Sequence, residues 1–282
     1  MDQNIYRRRR ATNVVGLVLS GASMAIGLIG LLWILWTLFY NGLSALNIAF
    51  FTNSTPAPGT EGGGLANAII GSLMMVGVAT FVSTPIGILA GVYLAEFGKT
   101  SKFAAATRFV VDIMLSAPSI VIGLFVYAIA VATLKHFSGW AGSFALSLIA
   151  IPVVVRTTEN MLNLVPGSLR EAAFALGAPR WKVSMAVTLR AVRGGVVTGV
   201  LLAVARMIGE TAPLLFTALN NQFFSLDMSQ PMANLPVVIY NFAMSPYENW
   251  QKLAWGGAAL IALIVLAINI TARVVFRDKV QA

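Results

Sequence analysis

Two pairs of oppositely charged residues lie in strongly apolar parts of this 282-residue sequence. Arg156 and Glu159 are three residues apart, and Arg206 and Glu210 are four apart, so each pair shares one face if the chain is helical there. A guanidinium is a permanently charged planar donor that suits the oxygens of an oxyanion. The pairs could therefore bind an anion, while the carboxylates occupy the arginines when no anion is present and keep its binding weak enough for release.

A structural interpretation of the same pairs remains open. Arg206 lies about 13 residues into an apolar segment, roughly 20 Å along a helix axis at about 1.5 Å per residue. A charge at that depth in a membrane costs at least about 2.5 to 3.5 kcal/mol. An adjacent carboxylate would lower this cost, so the pairs could also be self-neutralising structural contacts.

The composition indicates that the elements positioning these pairs are membrane helices. Hydrophobic residues make up 58% of the chain and charged residues 10%, and the mean hydropathy is +0.82. Such a chain has too little polar surface for a soluble domain. A transmembrane helix needs about 20 apolar residues, and we predict an all-α polytopic membrane protein with six of them. The predicted spans are 14–40, 66–95, 105–134, 141–164, 194–219 and 253–276.

The positions of the basic residues predict the orientation of the chain. If Arg7 to Arg10 lie in the cytoplasm, six spans place most other cations on the same side, and only Lys135 and Lys252 fall outside. This asymmetry predicts that both termini are cytoplasmic, and it argues against nucleic acid as the reason for the net charge of +9. The other cations on that side are Lys99, Lys102, Arg108, Arg170, Arg180, Lys182, Arg190, Arg193, Arg273, Arg277 and Lys279.

The predicted spans divide the chain into a separate first helix and a transport core. Pro85 and Pro118 are expected to interrupt the second and third spans. A second outer loop, 220–251, could include a short helix. The predicted regions are a basic cytoplasmic N-terminus 1–13, the first helix 14–40, an outer loop 41–64, the core 65–277 with a cytoplasmic loop 166–193, and a cytoplasmic tail 278–282.

No enzymatic chemistry is indicated by the sequence. The chain has no cysteine, and His136 is its single histidine. The run from Phe97 to Thr100 resembles the end of a phosphate-binding loop, but the required first glycine would stand at Tyr93, and the run follows a membrane helix. We therefore predict no catalytic residue, no cofactor and no metal site.

The cytoplasmic loop has its own pattern. Ser168 could cap a helix of about nine residues, with Glu171 completing a capping box and Gly177 ending the helix. The helix would present one face with small side chains at its centre, suited to insertion into a groove. That face consists of Leu169, Ala172, Ala173 and Leu176.

This loop resembles a known family. Glu171, Ala172 and Ala173, followed after three residues by Gly177 and after nine more by Val187, are similar to the loop by which permease subunits of ABC importers contact their ATPase subunits. The general pattern has a proline where this chain has Arg190, and an arginine there fits the phosphate-importing branch. Further segments resemble that branch across nearly the whole chain, namely 61–72 (EGGGLANAIIGS), 115–127 (LSAPSIVIGLFVY), 155–162 (VRTTENML) and 206–218 (RMIGETAPLLFTA).

The resemblance implies a type I ABC importer permease (MetI-like) fold and phosphate as the transported anion. It points to Arg156, Glu159 and Arg206 as pathway residues, to which we add Glu210 on physical grounds. It also implies an inner-membrane location in a bacterium and no ATPase activity in this chain. The partners it implies are a second, homologous permease subunit, a pair of ATPase subunits, an external phosphate-binding protein and the lipid bilayer.

Three other functions fit part of the pattern. A permease for another tetrahedral oxyanion, such as sulfate or molybdate, would carry similar charges. A secondary anion transporter could use the same arginines without ATP, although internal inverted repeats are not evident in this sequence. A membrane scaffold would pair the arginines with acidic residues of a neighbour.

Overall fold

The computed structural model describes residues 3–98 and 100–275, and this part of the chain is helical with no β-strand. The predictions for Lys99, Arg277, Lys279 and the tail 278–282 lie outside the described residues. The described helices are α1 Gln3–Gly42, α2 Ile48–Thr52, α3 Ala66–Phe97, α4 Lys102–Ser116, α5 Ser119–Leu134, α6 Gly139–Asn163, α7 Gly167–Ala175, α8 Arg180–Ala191, α9 Arg193–Ile208, α10 Ala212–Thr217, α11 Leu235–Ala243 and α12 Glu248–Val275.

The helices give up to six candidate spans, the number predicted, although the bent pair α8 with α9 starts at Arg180 rather than at residue 194. Four of them, α1, α3, α6 and α12, are each long and apolar enough to cross a membrane. Two further spans are pairs of helices, α4 with α5 and α8 with α9, bent by 106° and 73°. Counting each bent pair once gives six spans over the described residues, in agreement with the all-α polytopic prediction.

Helix α6 is the centre of the fold, since 67% of its apolar segment is buried against other helices. Glycines allow α3 to approach it closely. A Cβ atom at Gly87 would lie 2.6 Å from Cβ of Val154, and one at Gly91 would lie 2.6 Å from Cβ of Thr158. Because the two glycines are four residues apart, they form a smooth stripe along α3.

A neighbouring face of α6 packs against α9. A Cβ atom at Gly195 would overlap the side chain of Met161, and one at Gly199 would overlap Thr157. The same helices bury a cluster of apolar side chains shared with α3 and α10. Helix α6, which carries Arg156 and Glu159, is thus packed closely against both α3 and α9.

The two proline predictions have different outcomes. Helix α3 runs through Pro85 without a break, so the predicted interruption there is wrong. At Pro118 the chain does break, because Ala117 and Pro118 are both extended, with ψ of 134° and 135°. Proline disfavours the helical conformation of the residue before it. Two extended residues in succession therefore produce the 106° bend.

The fifth predicted span, 194–219, is not one helix. Helix α9 ends at Ile208, Gly209 caps it, and the short α10 begins only at Ala212. A glycine at the end of one helix and Pro213 at the start of the next favour this break. Arg206 therefore lies in the last turn of α9, and Glu210 lies beyond its end.

The loop 220–251 contains a helix, as expected. Asn234 caps α11 by accepting a hydrogen bond from the backbone N–H of Val237 at 3.0 Å. The side chains of Leu235, Val238 and Phe242 pack against α12 and the beginning of α3 and are buried there. The helix thus closes one end of the bundle.

Candidate functional site

Arg156 makes two ionic contacts. Its Nη1 lies 3.2 Å from Oε2 of Glu159, so the pair predicted from the sequence is formed. Its Nη2 lies closer, 2.6 Å, to Oδ1 of Asp112 on α4. The side chains of Arg156 and Asp112 are 35% and 50% exposed, so this second contact borders the surface of the subunit. Asp112 was not predicted as a site residue, because nothing in the sequence brings α4 beside α6.

Glu159 is shared between two arginines. Its Oε1 accepts a hydrogen bond from Nε of Arg108 at 2.6 Å, and its side chain is only 5% exposed. Arg108 also donates to the carbonyls of Leu94 at 2.7 Å and Gly98 at 3.4 Å, near the end of α3. The sequence interpretation counted Arg108 among the basic residues of the cytoplasmic side. It missed this contact because 51 residues separate the two partners.

These four residues form a row of alternating charge in the order Arg108, Glu159, Arg156 and Asp112. Glu159 is at the buried end, and Asp112 is at the open end. Asp112 also lines an open cleft of about 380 Å³ at the bend between α4 and α5. An anion entering from this side could replace Asp112 on Arg156 without disturbing the buried half of the row.

The second predicted pair is present but is placed differently. Nε of Arg206 lies 3.3 Å from Oε1 of Glu210, and the two side chains are 46% and 14% exposed. Because Arg206 is in the last turn of α9, its charge is also favoured by the carbonyl end of the helix dipole. Within residues 3–98 and 100–275, no hydrogen bond or ion pair joins this pair to Arg156 or Glu159.

The short helix of the loop 166–193 is α7, and its start differs from the prediction. It begins at Gly167, with Pro166 as its N-cap and no side-chain capping bond. Ser168 lies inside the first turn, so the predicted capping box with Glu171 is wrong. The predicted end is confirmed, since Gly177 has a φ of +77° and its N–H donates to the carbonyl of Phe174 at 2.9 Å.

The exposed face of α7 also differs from the prediction. Ala173 is buried, with 9% of its surface exposed, because α7 packs against the π-helical part of α8, Val183–Thr188. Glu171 and Ala172 are exposed, as are Leu169 and Leu176. Two large apolar side chains outside the predicted face are exposed as well, Phe174 of α7 at 44% and Trp181 of α8 at 66%.

A fourth arginine joins α7 to the membrane helices. Arg170 donates hydrogen bonds to the carboxylate of Glu96, at the end of α3. Its Nε lies 3.1 Å from Oε1 and 3.2 Å from Oε2, and its Nη2 lies 2.8 Å from Oε1. It also donates to the carbonyls of Leu162 at 2.8 Å and Val165 at 2.6 Å, at the end of α6. The side chains of Arg170 and Glu96 are 17% and 9% exposed. Because 74 residues separate Arg170 from Glu96, sequence spacing does not predict this contact.

Residues 83–277 match the family model described as the binding-protein-dependent transport system inner membrane component. This range includes every predicted site residue. It begins within α3 and leaves out α1.

Relatives match over nearly the full length of the chain. The phosphate transport system permease protein PstA of Haemophilus influenzae is 60% identical over 279 residues, which cover 99% of each chain. The protein of the same name from Yersinia pestis is 58% identical, covering 96% of this chain and 92% of the relative. A more distant PstA, from Mycobacterium leprae, is 37% identical over 93% of this chain and 88% of the relative.

Solved structures of low identity share the fold. A chain from the MetNI methionine ABC transporter in inward facing conformations has a TM-score of 0.64 and 20% identity, covering 77% of this chain and 96% of its own. A chain from a bacterial ABC transporter involved in the import of alginate has a TM-score of 0.61 and 13% identity, covering 99% of this chain and 100% of its own. The MetI-like arrangement of helices is therefore confirmed.

Proposed function

This chain belongs to the family of binding-protein-dependent inner-membrane transport components and is a permease subunit of a phosphate ABC importer, and we propose that Arg156 and Arg206 line the route of phosphate through it. The observation that carries this proposal is the contact of Arg156 with half-exposed Asp112 at the edge of an open cleft. A partly exposed ion pair contributes little stability, so an incoming anion can replace it.

Phosphate leaving water must regain the hydrogen bonds of its hydration shell. The guanidinium of Arg156 would supply a planar pair of donors once Asp112 moves away. Glu159 stays bound to Arg108 at 2.6 Å, so Arg156 keeps its orientation during the exchange. Arg206 would act in the same way at the break after α9, where Glu210 competes for it at 3.3 Å. The competing carboxylates keep the anion weakly bound and allow its release.

The chain provides transport and coupling, whereas ATP hydrolysis belongs to partner subunits. We assign α7 to the contact with an ATPase subunit, with Glu171 and Ala172 on the exposed side, Ala173 packed behind them and Gly177 at the end of the helix. ATP-driven closure of two such subunits would move α7 and switch access from one side to the other. We propose a PstC-type second permease subunit, a PstB-type ATPase pair and a PstS-type phosphate-binding protein as the partners.

We also propose that this multi-pass protein lies in the inner membrane of a bacterium with both termini in the cytoplasm. The basic residues support this orientation, since most of them fall on the side of α7 in a six-span arrangement. In the same arrangement, α11 and the loop 220–251 would face the binding protein.

The test is ATP-dependent uptake of radiolabelled phosphate into vesicles that hold the assembled complex. Arg206→Gln should abolish uptake and leave assembly intact. Arg273→Gln, at an exposed arginine that also lies in the last turn of a helix, should transport normally. Normal uptake by the Arg206 variant would remove this residue from the pathway. Equal uptake of labelled sulfate or molybdate would assign a broader oxyanion permease, and uptake without ATP would assign a passive anion carrier.

A further inference from the structure

Arg170 is the one residue of α7 whose side chain bonds to the ends of two membrane helices at once, within the part of the chain that the structure describes. Its guanidinium binds the carboxylate of Glu96 in α3, the carbonyl of Leu162 in the last turn of α6 and the carbonyl of Val165 just beyond that helix. Both partners in the ion pair are largely buried, so solvent does not compete for them. Arg170 donates from all three of its nitrogens, which are spread over a planar fork, whereas the donors of an ammonium group all lie on one atom.

Other contacts join α3 to α6. The stripe of Gly87 and Gly91 brings their backbones close together along their length. Arg108 of α4 adds a second link, since it binds both Glu159 of α6 and the carbonyl of Leu94 in α3. Three helices and α7 are therefore connected by partly buried polar contacts near the same end of the bundle.

Helix α9 is linked differently. It packs on α6 through Gly195 and Gly199, but within the described residues no side-chain hydrogen bond or ion pair joins it to α3, α6 or α7. Its chain connection to α7 is also bent. It runs along α8 and then through Val192, where the chain bends by 73°. Such a bend between two helices is a place where a few backbone dihedrals can absorb a rotation. A second bend, of 106° at Ala117 and Pro118, separates α4 from α5.

We infer that Arg170 makes α7, α3 and α6 a single moving body, so that the motion of the ATPase pair enters the membrane through α3 and α6, while α9 moves relative to them. The inference rests on the proposed coupling role of α7, and it assigns Arg170 and Glu96 as positioning residues that transmit the motion. The body carries Arg156 of the pathway, whereas α9 carries Arg206. Relative movement of the two parts changes the distance between the two arginines and so alternates access.

Paired spin labels test the rigid body without disturbing the ion pair. The chain contains no cysteine, so a cysteine introduced at a chosen position is the only one in the chain that a spin label can modify. Exposed positions are available on each element: Ser168 on α7, Phe97 at the end of α3 and Val197 on α9. In the full complex, the distance between Ser168 and Phe97 should stay the same with and without bound ATP, while that between Ser168 and Val197 should change. Equal changes in both distances would overturn the inference.

Coupling measurements test the role of the ion pair. In vesicles with the binding protein, Arg170→Gln and Glu96→Gln should each lower phosphate imported per ATP hydrolysed by at least about tenfold, while hydrolysis continues. The double variant should lose no more than either single variant, because both remove the same link. Arg273→Gln serves as the control.

A purely structural role would lower assembly, hydrolysis and uptake in proportion and leave the ratio unchanged, which would overturn the inference. An unchanged ratio with full uptake would do the same. If the unaltered complex itself showed no ATP-driven phosphate uptake, the proposed function would fail instead, so the two failures are distinguishable.

Discussion

Glu159 lies 2.6 Å from Arg108, closer than the 3.2 Å that separates it from Arg156, the partner expected from the sequence. The stronger contact therefore joins α6 to α4, and the contact within α6 is secondary. Since Arg108 is also bonded to two carbonyls of the α3 segment, Glu159 is held firmly from one side. This arrangement leaves Arg156 as the member of the row that can exchange partners.

The first prediction concerns the energy of this contact. Glu159→Gln should lower the unfolding temperature of the purified complex, because two arginines lose their shared carboxylate and Glu159 is almost fully buried. In a double-mutant cycle with Arg108→Gln, the coupling energy should be at least about 1 kcal/mol, within the roughly 0.5 to 3 kcal/mol found for contacting residues. Thermal unfolding of the four proteins, followed by fluorescence, measures it. A coupling energy near zero would show that the short contact contributes nothing in the membrane complex.

The second prediction concerns the open end of the row. Asp112→Asn should make phosphate on the release side a stronger inhibitor of uptake, because Arg156 no longer has a charged competitor. The contact is half-exposed, so we expect a gain of about 0.2 to 1 kcal/mol, or up to about fivefold in the half-inhibitory concentration. Vesicles loaded with increasing phosphate measure this value. Asp112→Glu, which keeps the charge, is the control, and an unchanged value in Asp112→Asn would exclude competition at Arg156.

The sequence predicts contacts within a helix better than contacts between helices. Arg156 with Glu159, and Arg206 with Glu210, follow from spacings of three and four residues, and both pairs are formed. Arg108 could not be assigned in the same way, because its partner depends on how α4 packs against α6. Its position near the end of a predicted span made it one of many basic residues.

The helix breaks show a related limit. Pro118 correctly indicated an interruption, but a proline alone does not distinguish a kink from the observed bend of 106°. At Pro85 the same residue type lies inside a continuous helix. The break at Gly209 was missed because the apolar stretches on its two sides together have the length of one span. Hydropathy predicts the length of an apolar span, whereas the conformation and hydrogen bonds of the backbone determine where a helix within it ends.

The third prediction concerns the packing of α3 on α6. Gly91→Ala should destabilise the permease by about 1 to 3 kcal/mol, since the new Cβ would lie 2.6 Å from Cβ of Thr158 and 2.8 Å from the carbonyl of Val155. Gly77→Ala on the same helix is the matched control, because its Cβ would meet no described atom within 4 Å. Thermal unfolding of both variants measures the difference. Similar unfolding temperatures would mean that the two helices can separate without cost.

The fourth prediction concerns the end of α7. Gly177 has a φ of +77°, and a Cβ there would meet no described atom within 4 Å, so any effect of Gly177→Ala comes from backbone strain alone. We expect a cost of roughly 1 to 2 kcal/mol for a left-handed alanine. The chain can relieve this strain by rotating α7 away from the geometry that its ATPase partner contacts. Uptake should therefore fall by severalfold, while the permease still assembles with its homologous partner.

Gly167→Ala is the matched control for that prediction. Gly167 lies at the other end of α7, within the helix, and its Cβ would also meet no described atom within 4 Å. Alanine is favoured over glycine in a helix by about 0.5 to 1 kcal/mol, so this variant should keep its uptake and gain slightly in stability. Measuring phosphate uptake and ATP hydrolysis for both variants separates the left-handed backbone from the loss of a glycine as such. If both variants lost uptake equally, the conformation of Gly177 would not be what positions α7.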